Sequence, residues 1–476
     1  MDGSESANWF AYIALLAWPL IAILLYRTRP PSQAAAWTIL GALLLLPSQL
    51  AIKIPMIPAL DKTSVAALSA VAGYFLFVPR LKRFSPGFGL AEILAAAYIV
   101  GPVVTSVLNN DFIVVGGRVL PGVGWYDGIS ALLSQTILFI PFFVGRRFLH
   151  GADDIETILR VLVLAALLYS LPMLFEVRFS PQLSNWIYGY FPSAFIGESR
   201  YEGFRPVVFM NNGLTSAFFM STSFLAAVVL WRVNSRFSRL PAGGVVAYLG
   251  AILILCKSSG SLIYGIVFGP LIRWTKPTTQ VRVAVLLAGI AILYPVLRMA
   301  DYFPTDRLVS VAATFNQERA NSLKFRFDQE QQLLARASER FFFGWGRYGR
   351  NRVYEEGSGR DTSTTDGLWI LTLGTFGFVG FLAQFGLLTL PVFRVGAAIK
   401  RVQSARERIF LAGLTGVVAL TVIEQLPNAS VTPWSWLLAG ALLGRIESVR
   451  SRHLRLRDSI RSRDSRITGE AITHAG

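Results

Sequence analysis

The residues best placed for chemistry lie between Arg326 and Gly380, where a polar, arginine-rich stretch runs into an apolar one. Its last polar residues are Thr364, Thr365, Asp366 and Gly367, directly before Leu368, Trp369 and Ile370. A carboxylate at the mouth of a helix can cap the first free N–H groups. Partly desolvated and beside arginines, it could instead take a proton from a sugar hydroxyl as a general base. Both roles are open to Asp366, with Glu339 and Glu202 as alternative bases. Arginine binds phosphate through paired hydrogen bonds, so several converging cations would hold a pyrophosphate. The candidates are Arg200, Arg205, Lys257, Arg326 and Arg347. Each could equally reach lipid phosphates or pair with Glu198, Glu202, Asp328 or Glu339. Trp186, Tyr190, Trp345 and Tyr348 could stack on sugar rings, although interfacial belt aromatics look the same in sequence.

The elements that must position these groups are set by composition. The chain of 476 residues is 53% hydrophobic and only 15% charged, with mean hydropathy +0.50, which is the profile of an all-α polytopic membrane protein. Apolar runs fall at 9–26, 34–51, 63–79, 90–108, 128–144, 157–175 and 213–231. Others fall at 243–256, 261–274, 281–299, 368–393, 409–423 and 433–443. Together they predict about thirteen transmembrane helices, the eighth and ninth being short for a full crossing. Alternate loops are basic: 27–31, 80–83, 145–147, 231–239, 273–276 and 394–408, then an arginine-rich tail at 445–466. The positive-inside rule therefore places the N-terminus outside and the C-terminus in the cytoplasm. The chain divides into helices one to ten (1–299, with an outer loop at 176–212), a large outer loop (300–366), helices eleven to thirteen (367–444) and the tail (445–476). The net charge of +17 follows from these loops, and the tail is expected to be cytoplasmic, partly irregular and lipid-facing rather than bound to nucleic acid.

Other chemistries find little footing. The single cysteine, Cys256, lies in an apolar run, and His150, His453 and His474 all fall on the cytoplasmic side. The outer loops lack HExxH, CxxC and DxD patterns, so no metal site is expected. No Walker A loop or GxSxG elbow occurs, and GWGRYG (344–349) reads as a turn. No half-chain repeat supports an inverted-repeat transporter. The acidic N-terminal segment has no small-residue cleavage site, so the first apolar run is expected to remain an anchor. Glu424, near the outer end of the twelfth run, is an intramembrane carboxylate and a functional candidate on that ground.

Several of these motifs together resemble the O-antigen ligase and polymerase superfamily of bacterial membrane glycosyltransferases. Arg326-x-Asp328 leads to a short helix, then Gly344-x-Gly346, then a polar residue opening a helix with Gly374-x-x-Gly377-x-x-Gly380. SSGSL (258–262) resembles a small-residue turn of the family, and Arg205 followed by 209–213 (FMNNG) resembles its arginine and Asn-rich helix entry. The likeness spans roughly 198–380. It implies a GT-C-like helical fold at the inner membrane, a polyprenyl-pyrophosphate-linked glycan as donor, and no metal or other cofactor. Other polysaccharide-assembly proteins are possible partners. Ligases of the family generally place a histidine where this chain has Asp366, whereas polymerases often have an acidic residue there. Lys257 stands where the family usually has an arginine. The expected activity is polymerisation of oligosaccharide repeat units. A ligase, a lipid-linked-sugar transporter or flippase, and a non-catalytic assembly partner are the alternatives.

Overall fold

The computed structural model describes residues 7–54, 57–78, 87–193, 195–200, 203–235, 240–364 and 366–473. Sixteen α-helices occur among them. The first eight are α1 (Trp9–Thr28), α2 (Pro31–Leu45), α3 (Lys62–Phe77), α4 (Leu90–Val107), α5 (Trp125–Phe148), α6 (Ala152–Phe179), α7 (Leu183–Tyr188) and α8 (Gly213–Arg232). They are followed by α9 (Ala242–Leu255), α10 (Ser259–Trp274), α11 (Pro277–Met299), α12 (Thr305–Phe315), α13 (Gln317–Ser338), α14 (Leu368–Ile399), α15 (Ala405–Glu424) and α16 (Pro433–Thr473). Seven of these helices, α1, α4, α5, α6, α8, α11 and α14, are long and apolar enough to cross a bilayer. The chain is a multi-pass membrane protein. Three two-stranded antiparallel hairpins decorate the loops: β1 (Ala51–Ile54) with β2 (Ile57–Asp61), β3 (Ile113–Val115) with β4 (Arg118–Leu120), and β5 (Ser199–Arg200) with β6 (Gly203–Phe204).

Each of the thirteen apolar runs overlaps a helix, although the second, 34–51, passes the end of α2 at Leu45 and reaches β1, and the loops between them gather at two ends. At one end the elaborate loops touch one another: Asn8 N–H donates to Tyr188 O, Gln49 N–H to the Tyr190 hydroxyl, and Arg340 to Asp111. At the other end the loops are short, and ion pairs tie helices together. Arg146 bridges Glu92 (2.7 Å) and Glu447 (2.9 Å), Arg445 pairs with Glu407, and Arg406 reaches Glu156 at 2.8 Å. The tail differs from expectation: its backbone continues α16 as helix to Thr473 instead of turning irregular, an outcome consistent with the good helix propensity of its many arginines.

Lipid offers no hydrophobic drive between helices, so close packing depends on small side chains. The seam between α5 and α16 follows that rule. A Cβ on Gly440 would sit 2.1 Å from Phe142 O, and one on Gly444 would sit 2.1 Å from Arg146 O.

The feature that shapes the loop end is a break in α14. Its 32 residues would extend to about 48 Å as a straight helix, longer than the roughly 30 Å hydrocarbon core. At Gly377 the backbone turns to φ 70° and ψ −169°, a region open essentially to glycine alone. The interrupted ladder is completed from outside. Trp345 and Gly346 N–H donate to Gly374 O and Thr375 O (both 2.9 Å), and Phe378 and Val379 N–H donate to Phe341 O (2.7 Å) and Phe342 O (3.1 Å). The segment read as a simple turn, GWGRYG, is thus part of a lock on the helix. Gly344, itself at φ 69°, lies so close that a Cβ there would be 2.6 Å from Gly377 N.

A Gly377→Ala protein is expected to lose roughly 1–3 kcal/mol from backbone strain alone, and more because the new Cβ would lie 2.3 Å from the Phe342 carbonyl. Gly396→Ala, in the same helix with open space around it, should lose nothing. Thermal unfolding of both purified proteins in detergent separates them; equal midpoints would mean that the break is not required.

Candidate functional site

The loop end holds a pocket of about 150 Å³ bounded by α13, the start of α14, the outer end of α11 and the turn after α15. Its polar groups come from spacing on one helix face: Arg326 and Glu330 are separated by one turn of α13. Arg326 Nε lies 3.4 Å from Asp366 Oδ2, and both side chains are more than a third exposed. Two positions before Asp366, Thr364 N–H donates to Gln329 Oε1 at 2.7 Å. Asp366 does not cap α14, contrary to one of its two expected roles. The cap position is Gly367, and Leu368 N–H is satisfied by Gln425 O at 3.0 Å. The carboxylate is left facing the pocket.

Below this pair lies Glu330. Its Oε2 accepts from the Tyr294 hydroxyl at 2.8 Å and sits 3.5 Å from Arg298 Nε. Arg298 is buried and donates to Phe327 O at 3.0 Å, while Trp369, fully buried, packs edge-on against Tyr294. Burial pushes the Glu330 carboxyl pKa up, against the opposing Tyr294 hydrogen bond and Arg298 charge. On the α15 side, Glu424 is buried and accepts from Tyr264 (2.9 Å) and Asn428 (2.7 Å). Arg326 is within electrostatic reach of Glu330 and Glu424 as well as Asp366. The half-open Arg326 guanidinium is thus paired directly with Asp366 and lies one turn from Glu330. Among the described residues no three His, Cys, Asp or Glu side chains group as a metal-binding set.

A second cationic region lies at the β5–β6 hairpin. Arg205 is buried, 3.6 Å from Glu198 Oε2, and its N–H donates to Glu198 O at 2.9 Å. Glu198 also accepts from Gly213 N–H (3.2 Å) at the start of α8 and from Ser193 Oγ (3.0 Å). Lys257 holds a left-handed turn (φ 50°) between α9 and α10. Its ammonium packs so tightly on Gly203 that a Cβ there would be 2.2 Å from Nζ. Arg205 and Lys257 thus approach the same hairpin. Arg200 lies in β5, with its side chain outside the described residues, as is Glu202 altogether.

Most other arginines at the loop end are structural. Arg350 is completely buried and donates to Trp345 O (3.1 Å), Asp111 O (2.7 Å), Pro121 O (2.9 Å) and Asp111 Oδ1 (3.1 Å). Arg336 and Arg340 cover the Trp345 ring at 3.4 and 4.3 Å, so Trp345 offers no open face. Burial tends to raise the Asp111 pKa, but the Arg340 hydrogen bond and the charges of Arg340 and Arg350 outweigh it and hold it below the usual carboxylate value. Glu339 is exposed, pairs with Arg336 at 2.7 Å and lines a different cleft from Asp366. Tyr190 is buried with its hydroxyl bonded to Gln49 N–H, while Trp186 is exposed against Phe175. Tyr348 is exposed and donates to Asp127 at 2.7 Å, with Arg347 half-buried beside it.

The sequence pointed to Asp366 and Arg326 as separate candidates, offered Glu198, Glu202, Asp328 and Glu339 as arginine partners, and missed Glu330, Tyr294 and Arg298. The available signal was the one-turn spacing of Tyr294 and Arg298 at the end of an apolar run, where a buried charge calls for a partner. No known protein-family model matches this chain, and comparison with curated proteins finds no matching sequence.

The raised Glu330 pKa gives a signed pH test. The folded protein holds this proton more tightly than the unfolded chain, whose glutamates titrate near 4.5. The contribution is fully present below that pH and is lost as pH rises through the higher folded value. Unfolding midpoints measured across that range should fall for the native protein relative to Glu330→Gln as pH increases. A constant or opposite difference would show that Arg298 holds Glu330 ionised throughout.

Proposed function

We propose that this protein is a metal-independent membrane glycosyltransferase that polymerises polyprenyl-pyrophosphate-linked oligosaccharide repeat units at the outer face of the bacterial inner membrane. The helices would cross about thirteen times, N-terminus outside and C-terminus in the cytoplasm, with a GT-C-like arrangement. The observation that carries this reading is the half-open Arg326–Asp366 pair, with Glu330 lining the same pocket. The carboxyl groups of Asp366 and Glu330 line the pocket with Arg326 as the single cation of that lining, so it carries no excess positive charge and suits hydroxyl groups better than pyrophosphate. Carboxylates accept hydrogen bonds from sugar hydroxyls, and an adjacent base can remove the proton as the bond forms. Arg326, first considered for pyrophosphate, fits better as the partner that orients Asp366.

In the proposed step the acceptor hydroxyl oxygen attacks the anomeric carbon of the donor glycan. The bond from that carbon to the pyrophosphate oxygen breaks, the hydroxyl proton passes to Asp366, and polyprenyl pyrophosphate departs. Negative charge grows on the leaving oxygen, where fixed cations contribute most. Arg205, Lys257 and, from the large loop, Arg347 are the candidates, since Arg336, Arg340 and Arg350 are committed to the loop itself. The broken α14 is the feature a transporter would use, but four of its freed backbone groups are occupied by 341–346 and so are not offered to cargo.

Asp366→Asn is expected to lower polymerisation roughly 10²–10⁴-fold, as loss of a general base does, without lowering the unfolding midpoint. In a deletion strain complemented with Asp366→Asn or Arg326→Ala, surface glycan on a gel should collapse to single repeat units on the acceptor. Long polymer accumulating on the lipid carrier would assign ligation instead, and a native ladder would overturn the role of this pocket.

A further inference from the structure

Helix α12 buries none of its eleven residues, yet half of its surface is apolar. At 100° per residue, Leu308, Val311, Ala312 and Phe315 form one stripe, while Asp306, Arg307, Ser310 and Thr314 lie on the opposite side. The stripe is open: Phe315 is 86% exposed and Val311 57%. Between the two faces, Val309 and Ala313 are half-buried on the flank of a helix that packs on α13. The protein therefore covers the flank as far as the half-buried Ala312 and, among the described residues, leaves Leu308, Val311 and Phe315 exposed.

The position of α12 says what covers it. Only residues 300–304 separate it from the outer end of α11, one of the helices able to cross the bilayer. This connection is pinned: the Phe303 ring packs 4.8 Å from Tyr294 of α11 and 6.1 Å from Phe327 of α13. Exposed Tyr302 marks the same level, where aromatic residues favour the headgroup region. An amphipathic helix with an open apolar stripe, starting where a membrane helix ends, has the lipid surface as its nearest apolar phase.

We infer that α12 lies flat in the outer leaflet, with Leu308, Val311 and Phe315 immersed at the headgroup–acyl boundary and Asp306, Arg307, Ser310 and Thr314 facing water. This anchor holds α13, and with it the pocket rim residues Leu323 and Phe325, at the bilayer surface. It does not depend on which reaction the pocket performs.

Single cysteines at Val311, Phe315, Ser310 and Thr314, introduced into the full chain carrying Cys256→Ser, are labelled with an environment-sensitive fluorophore in phospholipid nanodiscs. None of the four positions is buried, so the labels should leave the fold intact, as the unfolding midpoint will report. Quenching by lipid-borne doxyl groups should be at least about twofold stronger at 311 and 315 than at 310 and 314, with aqueous iodide showing the reverse. Equal access of iodide to all four positions would overturn the inference. So would protection of 311 and 315 from both quenchers, which would mean that a protein surface, not lipid, covers the stripe.

Discussion

The loop end of this protein depends on one constraint: backbone groups freed inside a helix must find partners. α14 stops being helical at Gly377, and the four hydrogen bonds that close the gap come from 341–346. That pairing fixes the loop against the membrane bundle. Thr105 and Asn109 at the end of α4 then bind the carbonyls of Phe343 and Gly344, and Arg350 fills the space beneath. With its C-terminal end secured in this way, α13 lies across α11, α14 and the turn after α15. The pocket is the gap that remains between them.

Energetic scale separates the arginines that build from those that can bind. Removing one partner of a buried charge network costs about 3–5 kcal/mol, whereas an exposed pair contributes about 0–1 kcal/mol. Arg350 and Arg298, almost wholly inaccessible, belong to the first group and are unavailable to a ligand. The Arg326–Asp366 pair, open on both sides, belongs to the second and can exchange its contacts at little cost. Arg205 stands between them, since Glu198 holds it while it anchors the start of α8.

The opposite end uses the same residues differently. There Arg146, Arg406 and Arg445 each meet carboxylates from other helices, so the basic short loops also act as cross-ties between spans. Together with the Gly440 and Gly444 seam, the Arg146–Glu447 pair holds α5 and α16 at a separation that larger side chains would not permit. The two ends thus differ in kind: cross-tied helices at this one, and an open pocket with two carboxyl groups at the other.

The amino-acid sequence alone determined the class and the helices, because an apolar run long enough for a bilayer has few alternatives to helix and leaves a plain compositional trace. It also marked Asp366 and Arg326 as separate candidates, and Gly344, Gly374 and Gly377 as parts of one motif series. It could not say that those glycines interlock, that Asp366 leaves its cap to Gly367, or that Trp345 and Tyr190 are buried. Nor did it join Tyr294 and Arg298 to Glu330, or Tyr264 to Glu424, 160 positions apart. Hydropathy is a local property and survives in one dimension. The partner of a charge is set by which helices lie side by side, and only the tertiary structure decided that.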